Sequence, residues 1–128
     1  MAERNENEIS RFILDSAFRV HTALGPGLLE SAYEACLAHE LRDAGLKVRA
    51  QVPLPLIYKS VKLDVGYRLD LLVDELVVVE IKAVEALIPI HQAQLLSHLK
   101  LSGKKLGLLI NFHVLHLKQG IKRVVNGL

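Results

Sequence analysis

The chain has 128 residues, enough for a single domain, residues 1–128, that buries about two-thirds of the surface its unfolded form exposes. It is 51% hydrophobic and 23% charged, a globular balance that excludes intrinsic disorder. The net charge of +2 excludes an all-over basic coat and leaves room for a local basic patch. No apolar run approaches the roughly 20 residues of a membrane helix, so no membrane partner is expected. The one cysteine, Cys36, permits no internal disulfide, and the polar opening MAERNENEIS has no secretory-signal character. Both points lead to a cytoplasmic protein, with residues 1–7 expected to be disordered.

The first helical pattern places Ile9, Phe12, Ile13, Ala17, Val20 and Leu24 at spacings of three and four and stops at Gly25–Gly27. A second helix is predicted from about Leu28 to Ala44, with Leu29, Tyr33, Cys36, Leu37 and Leu41 as its stripe and Gly45 as its stop. Val48 to Tyr58 alternates as a strand, and Pro53 and Pro55 mark it as an edge or bulged one. A turn near Lys59-Ser60 leads to a strand from Val61 to Val73, with Leu69, Leu71 and Val73 on one face and Asp70 on the other. A turn near Asp74-Glu75 then leads to a strand from Leu76 to Lys82. A helix from about Leu87 to Leu101 follows, stopped by Ser102-Gly103, and Lys104 to Phe112 reads as a buried strand. The tail HLKQGIKRVV reads as a short hairpin turning at Gln119-Gly120.

The strand LVVVEIK carries an acid and a base inside an apolar run. Glu80 and Lys82 are two apart and share a face, while Val77, Val79 and Ile81 point the other way. A lone pair of this kind is commonly a structural ion pair. Asp70 changes the reading, because a hairpin centred near Glu75 brings it opposite Glu80. A two-residue loop would put the two carboxylates on opposite faces; a three-residue loop, Asp74 to Leu76, or a bulge puts them on the same face. Asp-Glu is not a favoured two-residue hairpin turn, so the odd loop is expected. Facing carboxylates repel unless a cation sits between them, and oxygen ligands suit magnesium or manganese.

Glu30 falls inside the apolar stripe of the second helix, where a first-turn acid is also favoured by the helix dipole. Gln94 shares a helical face with Leu87, Ile90, His98 and Leu101, and could orient a carboxylate, contact a phosphate or simply be solvated. Lys100, Lys104 and Lys105 are candidate phosphate contacts, as are Lys118, Lys122 and Arg123, though both groups also suit solvated faces. His113 and His116 are three apart on an extended segment and face opposite ways. His91 and His98 are too far apart to grip one ion readily, and Cys36 reads as core.

Gly27-Leu28-Leu29-Glu30-Ser31-Ala32-Tyr33 resembles the G-x-x-E-x-x-Y signature of the GxxExxY protein family. VPLPLIYK, YRLDLLV, VVEIKAVEAL, QAQLLSHLK and LGLLINF resemble that family's successive blocks from about residue 8 to residue 126. The family is placed in the PD-(D/E)XK nuclease-like superfamily. The resemblance implies an α/β restriction-endonuclease-like core of helix, three strands, helix and strand, preceded by an extra helix. It implies Asp70 as a metal-binding aspartate, Glu80 and Lys82 as the E-x-K pair, Glu30 as the acid of the first core helix and Gln94 as the glutamine of the next. His98 stands where related Q-x-x-x-Y patterns have tyrosine. On this reading Asp70 and Glu80 hold Mg2+ or Mn2+ with the Ile81 carbonyl as a further ligand. Glu30 binds a second ion or its water, and Lys82 serves the attacking water. The expected activity is hydrolysis of DNA or RNA, in a homodimer or larger complex given the small size. The competing expectation is a catalytically silent binding module on the same fold.

Overall fold

The computed structural model describes residues 3–128. Helix α1, Glu6–Leu24, begins with a capping box: the Asn5 side chain accepts from the Glu8 N–H and the Glu8 carboxylate accepts from the Asn5 N–H. The disorder expected of residues 1–7 is therefore corrected for Glu6 and Asn7, which are helical. Residues 1 and 2 lie outside the described residues. Helix α2 is Glu30–Asp43, and the strands that follow are β1, Val48–Pro53; β2, Leu56–Tyr58; β3, Val61–Leu63; β4, Arg68–Val73; and β5, Val77–Lys82. Helix α3, Pro89–Ser102, strand β6, Leu106–Asn111, a 3-10 turn, Leu117–Gly120, and strand β7, Ile121–Val125, complete the chain.

Five strands form one sheet in the order β1-β4-β5-β6-β7, with only β5 and β6 parallel. That parallel pair is joined through α3, the crossover such a pair requires. Alternation along the strands feeds two cores. Leu71, Val73, Val77, Val79, Ile81, Leu106 and Ile110 pack with α1 and α2 residues on one face. Leu69, Leu72, Val78 and Leu109 pack with Leu95 and Leu99 of α3 on the other. The result is a three-layer α/β domain with the sheet in the middle, as the sequence leads one to expect. No helix among the described residues is long and apolar enough to cross a membrane.

Four strand readings need correction. The expected strand Val48 to Tyr58 is two strands, because Pro53 and Pro55 bracket a break and send β2 off the main sheet to pair with β3 alone. Val61 to Val73 is likewise divided, at a turn where Gly66 has φ +84°. Within β4, Leu69 and Leu71 feed opposite cores instead of sharing a face. The side switches at Asp70, which drops out of the β1–β4 register together with Gln51, itself at φ 54°. The tail is also not a hairpin of its own. After the 3-10 turn, β7 runs back antiparallel along β6 and becomes a fifth strand of the sheet.

Candidate active site at the carboxyl ends of the central strands

The β4–β5 connection decides where the acids lie. It consists of Asp74, Glu75 and Leu76, with Val73 paired to Val77. Asp74 and Glu75 have φ of 50° and 59°, the Leu76 N–H donates to the Val73 carbonyl, and Leu76 is the extra residue. Left-handed Asp and Glu cost energy that neighbours offset. Asp74 accepts from the Lys47 N–H at 2.8 Å and pairs with Arg4, and Glu75 takes a bidentate bond from Arg49 at 2.6 and 2.7 Å. With this odd loop, the register places Asp70 across from Glu80, one step beyond the last ladder pair, Leu71 with Val79.

Pairing stops at that step, and the Ile81 N–H donates instead to the Asp70 carboxylate at 2.8 Å. Asp70 is half-buried, and its carboxyl is pushed up to about 6, first by burial, against the Ile81 bond, and further by the charges of Glu80 and Glu34. Lys82 acts on it in the opposite sense. Glu80 is buried, and its Oε1 lies 2.6 Å from Nδ1 of His98 on α3. His98 also stacks at a tilt on Tyr67, ring centroids 5.8 Å apart. Lys82, half-buried, is next on the Glu80 face of β5.

Glu30, the first residue of α2, is exposed, and it accepts from the Ala83 N–H at 3.2 Å, directly after Lys82. The G-x-x-E-x-x-Y stretch thus ties α2 to the end of β5. Its Tyr33 hydroxyl donates to the Gly25 carbonyl at 2.6 Å, accepts from the Leu28 N–H, and its ring stacks on Phe112 at 4.6 Å. Gln94 is exposed on α3 and lines a groove with Tyr67, Ile90 and His98. The structure therefore brings Glu30, Asp70, Glu80 and Lys82 to one end of the sheet, with Gln94 on the flank. Lys104 and Lys105 are placed elsewhere. They precede Leu106, which pairs with Val77, and Lys104 acts on Glu75, so both lie at the opposite end. Lys100 is exposed in the last turn of α3.

Four residues of this end were not singled out for the site by sequence reasoning. His98 was noted as sharing the Gln94 face, as a poor partner for His91 in gripping an ion and as the replacement of a tyrosine, but not as a partner of Glu80. Glu34 lies one turn after Glu30 and reaches Asp70 electrostatically, and a spacing of four on a helix was the signal available. Gln51 donates to Glu34 at 2.7 Å. Asn111, fully buried, accepts from the Val84 N–H at 3.1 Å and donates to the Val84 carbonyl at 2.8 Å, pinning the segment after Lys82. An amide closing a buried apolar strand is visible in LGLLINF, but its partner is not.

Among the described residues, no three His, Cys, Asp or Glu side chains gather into a cation cage. The donor chemistry still suits a hard divalent ion. Mg2+ is held through one or two carboxylates and keeps several waters. Asp70 and Glu80 supply two carboxylates, and a cation between them would offset both the burial that chiefly raises Asp70 and the lesser repulsion from Glu80. The Ile81 N–H faces the β4 edge, so its carbonyl, on the same edge of an extended strand, is turned toward Asp70 as well.

A central strand carrying an acid and a lysine on one face, flanked by an aspartate at the end of its neighbour and by helices on both sides, defines a nuclease-like α/β fold. The chain belongs to the PD-(D/E)XK nuclease superfamily, whose family profile it matches over residues 7–124. Nucleases of that superfamily generally use divalent metals. Neither the curated proteins nor the solved structures gave a match.

Proposed function

We propose that this chain is a cytoplasmic, metal-dependent nuclease that hydrolyses phosphodiester bonds of DNA or RNA. The observation that carries the reading is the meeting of Asp70 and Glu80 at the point where the β4–β5 ladder ends, with Lys82 next on the Glu80 face. Asp70, Glu80 and the Ile81 carbonyl would hold Mg2+ or Mn2+. When bound, such an ion would supply a water of lowered pKa and positive charge toward the phosphate. Lys82 orients the attacking water and adds positive charge where the phosphate becomes more negative. Glu30, bonded to the Ala83 N–H, holds the end of β5 in place. Gln94 and Arg68, both exposed near this end, are better placed to meet the substrate backbone than Lys104 or Lys105.

Glu80→Ala and Lys82→Ala should each reduce Mg2+- or Mn2+-dependent cleavage of labelled DNA and RNA by at least about 100-fold, while the circular dichroism spectrum stays that of the parent. Cleavage that survives in the purified double variant would belong to a contaminant and would sink the assignment. The second reading, a silent binding module, is favoured by one observation: Glu80 already has a protein partner in His98. It predicts nucleic-acid or protein binding indifferent to EDTA and to both substitutions.

The assembly we favour is a homodimer through the β2–β3 hairpin. Tyr58, Val61 and Leu63 lie on one face of it, exposed at 59%, 54% and 39%. Leu56 of the same face lines a groove with Tyr67 and Ile90, which are exposed as well. Lys62 lies on the other face with Ile57, while Lys59 of the turn reaches over the Tyr58 ring, 5.5 Å from its centroid.

A further inference from the structure

The Glu80 carboxylate has a side-chain partner from another element, and it is an imidazole. His98 reaches it from α3, 18 residues further along the chain, with Nδ1 at 2.6 Å from Oε1. Both groups are largely shielded, with side-chain exposures of 19% and 10%. A carboxylate that ligates a cation is ionised and only accepts, so on the cation-site reading Nδ1 carries the hydrogen and donates it. The ring is held from a second side by Tyr67, whose carbonyl is itself anchored by the Leu54 N–H at 2.8 Å. One carboxylate oxygen is therefore fixed, and the rotation of Glu80 about its long side chain is restricted. Asp70 is restrained in the same manner by the Ile81 N–H.

We propose that His98 is a positioning residue for divalent-cation binding: its Nδ1–H holds the Glu80 carboxylate so that the remaining oxygen is presented to the ion beside Asp70. The proposal rests on the reading of Asp70 and Glu80 as cation ligands. It assigns α3 a task that its packing alone does not require, since Leu95 and Leu99 already seat the helix on the sheet. Hydrogen-bond partners of metal ligands commonly set affinity by 10–100-fold. The essential feature is a donor at the Nδ1 position, and replacement side chains can separate that from bulk. Asparagine carries its amide nitrogen close to where Nδ1 lies. Glutamine carries it near the place of Nε2, and leucine keeps comparable bulk with no donor.

The test is titration of Mn2+ alone into the whole chain by calorimetry, with melting temperatures in EDTA recorded alongside. His98→Leu is expected to bind Mn2+ about 10–100-fold more weakly than the parent. His98→Gln should remain weak, and His98→Asn should return to within about threefold of the parent, a rescue that a purely structural role does not produce. If His98→Leu fails to fold, the contrast between Asn and Gln decides. Parent affinity in the Leu variant, or equal affinity in the Asn and Gln variants, overturns the role of His98 while leaving the cation site standing. A parent that takes up no Mn2+ overturns the cation site itself, and the positioning role with it.

Discussion

Asp70 holds its proton to about pH 6, well above the ordinary carboxyl value of 3.8, because it is buried beside Glu80 and Glu34. Between those two values the folded chain binds more protons here than the unfolded chain does. Stability contributed at this position is therefore present below about pH 4 and is lost as pH rises through about 6. In EDTA, Asp70→Asn should melt close to the parent at pH 4 and above it at pH 7. Melting curves at the two values measure the gap, and a gap that shrinks with rising pH contradicts the assignment. The acids and the lysine were readable as residues because a charge in an apolar strand is conspicuous. His98 was not, since nothing local in SHLK indicates that its partner lies on a strand 18 positions earlier. Lys100, Lys104 and Lys105 looked plausible by composition, and only the direction of β6 shows that Lys104 and Lys105 sit at the far end.

The pairing of Val73 with Val77 across the Asp74–Leu76 turn is the feature on which the site depends. Removing Leu76 leaves a two-residue loop whose Asp74 and Glu75 already have the positive φ such a turn needs, so Val73 still meets Val77 and Asp70 still faces Glu80. A Leu76 deletion should therefore keep a cooperative thermal transition, as followed by circular dichroism; loss of that transition would show that the extra residue is needed to hold the register. The helices and the order of the main strands were legible because their periodicities are clean over six residues or more. The β2–β3 hairpin was not, because its strands continue the alternation of β1 and β4, and only Pro53, Pro55 and Gly66 mark the departure. Strand β7 was hidden differently. IKRVV is short, basic and largely exposed, and it is turned toward β6 by the preceding 3-10 turn. There Gly120 passes so close to the Asn111 carbonyl that no side chain fits between.

At the scale of the molecule, the exposed hairpin predicts self-association. Light scattering on the eluting peak should report a dimer for the parent, and Tyr58→Ser with Val61→Ser should report a monomer. An unchanged mass in the double variant would remove the hairpin from the interface. The hairpin's partner could not be read from sequence, since a chain carries no record of which of its apolar faces meets another copy. The two ends of the sheet also differ in kind. One is fastened by Arg4, Arg49, Asp74 and Glu75; the other gathers half-buried and buried acids that repel. The two ends therefore answer substitution in opposite ways. Loss of a charge at the fastened end weakens the fold, whereas a neutral replacement of Asp70 relieves it. On the proposed function, the chain keeps at one end a strain that a sturdier, inert protein of the same shape would lack.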